Sequence, residues 1–165
     1  MSRLAAALIA TILLAPIGAS AKTFPIPSDD PIATVSIPDT WEPHDYDGGV
    51  EATSTDGAVY VAAEAVKAKD AGEAAGEAVV WFAKQGVTID EKSLKTQDVK
   101  VNGMPGFDMT MTGKDKDGPT TVDMTLVKTN SDSHLLILYF WGTEKGANDN
   151  AKDLKAIADS LQPTK

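Results

Sequence analysis

HLLILYFWG, residues 134–142, is the most apolar run of the chain beyond its amino terminus. Leu, Ile, Tyr, Phe and Trp fall on both the odd and the even positions, so whichever face a strand turns, that face is hydrophobic. A half-exposed strand alternates; a run apolar on both sides reads as a central strand covered on two faces. Working toward the amino terminus, residues 120–128 and 106–112 alternate cleanly. Val122, Met124 and Leu126 stand against polar partners in the first, and Phe107, Met109 and Met111 against Asp108, Thr110 and Thr112 in the second. Asn102-Gly103 joins the latter to residues 94–101 as a two-residue hairpin, and Thr55-Asp56-Gly57 joins residues 50–54 to 58–66. Residues 32–37 form a short β-branched run closed by Pro38.

Two helices complete the pattern. Asp70 with Glu73 three residues later is a capping-box start, and Gly86 is placed as a C′ glycine; between them Ala75, Ala78, Val79, Trp81 and Phe82 make an inward stripe. Leu154, Ile157, Ala158 and Leu161 repeat at helical spacing before Pro163 ends the run. Short connections make the strand pairing antiparallel. The expected fold class is α+β: a single antiparallel sheet of about six strands, a helix between strands 3 and 4, and a C-terminal helix packed on the sheet.

The chain has 165 residues, with 15 Lys+Arg against 24 Asp+Glu, a formal net charge of -9 and no Cys. That balance, without a basic run, excludes nucleic-acid phosphate as a partner. The missing Cys removes disulfides, thiolate nucleophiles and zinc–cysteine sites together. Residues 1–21 have the parts of a secretory signal peptide: basic Arg3, the apolar run 4–17, too short to span a bilayer, and Ala19-Ser20-Ala21 for cleavage before Lys22. Residues 22–31, KTFPIPSDDP, read as an extended leader, and residues 32–165 as one domain. A secreted domain of this size without disulfides fits a Gram-negative-type periplasm, and no later apolar stretch is long enough to insert the mature chain into a membrane.

IPDTW at 37–41, STDGAVYVAAEAV at 54–66, GMPGF at 103–107, HLLILYFWGTE at 134–144 and KDLKAIADSLQP at 152–163, in this order, resemble the PsbP-like group over about residues 32–162. That group includes accessory proteins of photosystem II and small secreted bacterial proteins. The resemblance implies a non-enzymatic binding or assembly-assisting domain, in some members with divalent metal. It supplies no catalytic residues, and no metal ligand of the photosynthetic members can be placed on this chain.

Among candidate sites the loop Trp41-Glu42-Pro43-His44-Asp45-Tyr46-Asp47 gathers an indole, an imidazole, a phenol and three carboxylates, and loops on a rigid scaffold are where binding groups concentrate. Trp41, His44, Asp45 and Tyr46 are the expected partner- or ligand-binding residues, with burial of Trp41 and Tyr46 as core plugs the alternative. His44 with Asp45 and Asp47 has no recognised metal spacing. Asp115-Lys116-Asp117-Gly118 resembles the start of a calcium loop but continues into Pro119 and reaches Leu126 where a bidentate Glu would stand, so it reads as a hairpin turn. Ser131-Asp132-Ser133-His134 places triad residue types in one turn, where they cannot converge. Gly103 and Gly106, interrupted by Pro105, have neither a Walker lysine nor a following helix. Pairs of carboxylates suited to glycosidase chemistry stay open, because only geometry selects among so many acids.

The sequence therefore predicts a periplasmic, non-catalytic binding or assembly-accessory domain without a cofactor, whose partner is an unidentified periplasmic protein or small ligand. Divalent-cation binding through the acidic surface is the second reading, and a hydrolase of unrecognised type the third.

Overall fold

The computed structural model describes residues 20–67 and 70–164. In chain order these form β1 (Ala21–Ile26), β2 (Ala33–Pro38), a 3-10 turn (Asp39–Trp41), β3 (His44–Tyr46), β4 (Gly49–Thr53), β5 (Val59–Val66), α1 (Ala71–Lys84), β6 (Thr88–Val101), β7 (Met104–Asp115), β8 (Gly118–Val127), β9 (Leu135–Gly142), α2 (Glu144–Asp149), α3 (Ala151–Asp159) and β10 (Gln162–Pro163). The expected single sheet of about six strands is instead two sheets. Seven strands run in the order β3-β4-β5-β9-β8-β7-β6, and three in the order β1-β2-β10, all pairs antiparallel. The signal-peptide reading covers residues 1–21, of which 1–19, including Ala19 of the expected cleavage site, lie outside the described residues.

The segment read as an extended leader is built into the domain. Ala21–Ile26 pair along the whole of β2, and Phe24 and Ile26 are buried. Its prolines signalled an irregular lead-in. A proline is tolerated in a strand at the edge of a sheet, however, and β1 is an edge strand, with Pro25 opposite Thr34.

β9 is the middle of the large sheet, and its two faces feed two different cores. Leu136 and Leu138 join Val61 and Ala63 of β5 beneath the small sheet, where Val35, Ile37, Trp41, Ile157 and Leu161 close a first cluster. Ile137 and Tyr139 join Met111, Val122, Met124 and Leu126 beneath α1, where Ala74, Ala75 and Phe82 close a second. The fold is thus three layers: small sheet with α3, large sheet, α1.

Local chemistry matches the sequence pattern at several places. The Asp70 carboxylate accepts from the Glu73 backbone N–H and caps α1, and Gly86 takes φ +87 just beyond its end. Asn102 and Gly103 hold φ +48 and +91 in the β6–β7 turn. The Asn102 amide then donates to the carbonyls of Asp159 (2.9 Å) and Leu161 (2.6 Å), fixing this hairpin to the end of α3. In the β4–β5 turn the Ser54 hydroxyl accepts from the N–H groups of Ala58 and Val59. Asp56 accepts from Asn150 (3.1 Å), tying that turn to the start of α3.

Candidate functional site

In β5 the odd positions Val61 and Ala63 face the small sheet, leaving Tyr60, Ala62 and Glu64 on the side of α1. β4 pairs in register, so Glu51 stands opposite Ala62 on that same side, and β3 adds His44 opposite Glu51 and Tyr46 opposite Gly49. The helix does not reach this edge of the sheet. Between it and β3–β5 lies an open cleft of about 490 Å³, and the acids and phenols stand in its wall.

Each carboxylate there is met by a tyrosine. The Tyr46 hydroxyl donates to Glu64 Oε2 at 2.8 Å, and the Tyr60 hydroxyl to Glu51 Oε2 at 2.5 Å. Tyr139, on β9, stands near Glu64 and favours its ionised form. Burial pushes the Glu64 carboxyl above the ordinary glutamate range; the Tyr46 hydrogen bond pulls it back and the nearby charge of Glu51 pushes it further up. The Tyr46, Tyr60 and Tyr139 phenols are held far above the usual tyrosine range, first by burial and then by these same carboxylates. At any physiological pH they are neutral donors, so the acids keep their partners. Gly49 makes the geometry possible: a Cβ there would stand 2.1 Å from the Ala63 carbonyl and 2.8 Å from Glu64 Cα. Only glycine lets β4 lie this close to β5 beneath the Tyr46–Glu64 bond.

The far wall is aromatic. Trp81, on α1, lies 5.9 Å from Tyr60, 5.5 Å from Tyr139 and 5.8 Å from Trp141 between ring centroids, and Tyr60 lies 4.8 Å from Trp141. Trp81 and Tyr60 are half-buried, with part of each ring open to the cleft.

Of the four expected site residues, the structure brings His44 and Tyr46 into this cleft. Trp41 is 2% exposed and belongs to the first core; it forms the back of a neighbouring groove that shares His44, Glu51 and Tyr60 with the cleft. Asp45 alternates to the other side of β3 and is exposed. Sequence reading missed Glu51, Tyr60 and Glu64, and placed Trp81 and Tyr139 only among the apolar positions. A usable signal was present: Tyr60 and Glu64 sit on one face of a strand that is otherwise Val and Ala.

A second opening, of about 510 Å³, lies beside the start of α1 and includes Ser131, Asp132, Ser133 and His134. Ser133 Oγ lies 2.9 Å from His134 Nδ1, but the Ser131 hydroxyl accepts the backbone N–H groups of Ser133 and His134, so the serines hold a turn. Asp115 and Gly118 pair across a two-residue β7–β8 turn, Lys116-Asp117. Among the described residues no three His, Cys, Asp or Glu side chains come together as a metal site.

No family model matches this chain, and no curated protein sequence does. Solved structures do. Cyanobacterial PsbP (CyanoP) from Synechocystis sp. PCC 6803 superposes with a TM-score of 0.59 at 12% identity over 91% of this chain and 96% of that one. The fold is PsbP-like. A Bacteroides thetaiotaomicron protein shares it at a TM-score of 0.55 and 15% identity over 87% of this chain, which spans only 48% of that longer one. The Saccharomyces cerevisiae Ran-binding protein Mog1p shares it at 0.51 and 12% over 87% and 95%. Within this fold the cleft is built where β3, β4 and β5 extend past α1.

Proposed function

We propose that this protein is a periplasmic, non-catalytic binding or assembly-accessory domain that engages its partner through the cleft between α1 and β3–β5. The observation that carries the reading is the pairing of half-buried carboxylates with neutral phenols in an open, aromatic-walled cleft: Glu64 with Tyr46, and Glu51 with Tyr60. Such an array is fixed and directional, as a recognition surface must be, while phenols pinned far above their ordinary range are poor proton shuttles. The signal-like residues 1–21 support export, and the name of the Ran-binding neighbour supports a protein partner. Of the residues expected from sequence, His44 and Tyr46 contribute side chains to the surface, Asp45 flanks it, and Trp41 anchors the turn behind it.

The test is site-specific photo-crosslinking in the exporting cell. A photoreactive residue at His44 should give a discrete adduct that the same residue at Lys95, on the far edge strand, does not. Equal, diffuse labelling from both positions would remove the cleft from the reading.

A further inference from the structure

We propose that the cleft receives an alkyl-ammonium group on an apolar stem, so that its occupant is an organic amine or a lysine side chain of a partner. This rests on the cleft being the binding surface and names the chemistry it selects. Three carboxylates, Glu51, Glu64 and Glu77, line it with His44, and among the described lining residues no lysine or arginine is present. A concave wall of one sign beside low-dielectric surroundings concentrates the opposite charge. An anion would face like charge from these carboxylates.

The kind of cation follows from the other walls. Tyr60, Trp81 and Tyr139 turn aromatic surface toward the space, and ring faces attract an ammonium held over them. Val66, Ala74, Ala78 and Ile137 supply aliphatic surface beside the acids, matching a methylene stem. A divalent metal would need several oxygens converging on one point, whereas Glu51 and Glu64 are each held by their own tyrosine. Those hydrogen bonds leave lone pairs free on both carboxylates, so an ammonium can be accepted without displacing the phenols.

Trp81 and Trp141 are built-in reporters on the cleft side, and Trp41 belongs to the opposite core. The intact mature domain is titrated at low salt with n-pentylammonium, with the neutral isostere n-pentanol, and with a capped lysine amide, following tryptophan emission and backbone amide shifts. Pentylammonium is expected to bind, pentanol at least ~10-fold more weakly, and Glu64→Gln to cost pentylammonium at least ~10-fold. Glu51→Gln is the second variant should Glu64→Gln fail to fold. Tighter binding of capped lysine than of the free amine assigns the site to a partner's side chain; the reverse assigns it to a small amine. Pentanol binding as well as pentylammonium, either Gln variant binding unchanged, or no shift at the cleft residues with any probe overturns the ammonium assignment. A discrete His44 adduct together with such failure would leave the partner surface standing and only its chemistry wrong.

Discussion

β9 packs two unlike cores, one on each face. Toward the small sheet, Leu136 and Leu138 meet Val35, Ile37, Val50 and Ile157, a closed aliphatic layer in which Trp41 is a fully enclosed plug. Toward α1, Ile137, Tyr139 and Trp141 meet Trp81 and Phe82, with Glu51 and Glu64 at the margin. A three-stranded sheet plus a helix covers more of a seven-stranded sheet than a single 14-residue helix can. Where the small sheet and α3 cover it, that face can be apolar because little of it meets water. The partly covered face needs side chains that are apolar in body and polar at the tip, and the chain supplies Tyr, Trp and Glu there. Recognition chemistry collects where coverage runs out.

The largest expected effect separates the two tryptophans. Trp41→Ala removes an enclosed ring from a layer that cannot collapse around the gap and should cost about 3–5 kcal/mol. Trp81→Ala removes a half-buried ring from an open wall and should cost about 1–2 kcal/mol, since water can enter the space left. Urea denaturation of both variants measures the difference. Equal losses would mean that the helix face is as closed as the sheet face, and the contrast would fail.

The same contrast explains what could be read from the chain beforehand. HLLILYFWG announced a strand with two buried faces because both of its parities are apolar, and Asp70, Gly86 and Asn102-Gly103 marked real ends and turns because their chemistry is local. The second sheet was not legible. β1 looks like a proline-rich lead-in, and its pairing with β2 depends on an edge position that only the assembled fold provides. Nor does any local signal place β5 beside β9, which lies across α1 and three strands. The Trp41–Asp47 loop drew attention for its composition, yet alternation sends His44 and Tyr46 one way and Asp45 the other, while the turn at Asp39–Trp41 folds the indole into the core. Glu51 and Glu64 pass for ordinary solvent-side acids until the β4–β5 register sets them on one face.

Gly49 sharpens the contrast next. It stands on the cleft side between Tyr46 and Glu64 in the register of three strands. Gly49→Ala sets a Cβ against backbone, at 2.1 Å from the Ala63 carbonyl, so β4 and β5 must separate. The cost should be about 2–3 kcal/mol, with loss of the Tyr46–Glu64 bond. Stability measured by denaturation, and the Tyr46 ring resonances by NMR, check the two parts. Gly76→Ala is the control: nothing lies within 4 Å of its Cβ, and in mid-helix it should stabilise by about 0.5–1 kcal/mol.

The closed face also has an open end. Beyond the small sheet, Asp123 accepts from Thr110 at 2.9 Å while neighbouring Asp108 accepts from Thr125 at 3.0 Å. Burial, with the charge of Asp108 added, pushes the Asp123 carboxyl from 3.8 up to about 7. The folded state therefore holds a proton that the unfolded chain has released. Stability from this group is fully present below about pH 4 and is lost as pH rises through about 7. Asp123→Asn, neutral at every pH, should flatten that decline and raise the melting temperature at pH 8 while leaving it nearly unchanged at pH 4. An equally steep decline in the variant would remove Asp123 as its source.

The smallest effect is the most specific to the cleft. Tyr46→Phe keeps the ring and deletes the hydroxyl that donates to Glu64. Glu64 is half-buried, so the loss should stay at about 1 kcal/mol. Removing a hydrogen bond to the ionised form leaves burial and the Glu51 charge less opposed, so the Glu64 carboxyl should move still higher. The sign separates two accounts of the tyrosines. If they serve to hold a charged acid in place, Tyr46→Phe raises the Glu64 titration midpoint, seen by NMR of the side-chain carboxyl carbon, and the change exceeds anything Asp45→Asn does from the other side of β3. If the phenols are only packing surface, the isosteric ring leaves the titration where it was.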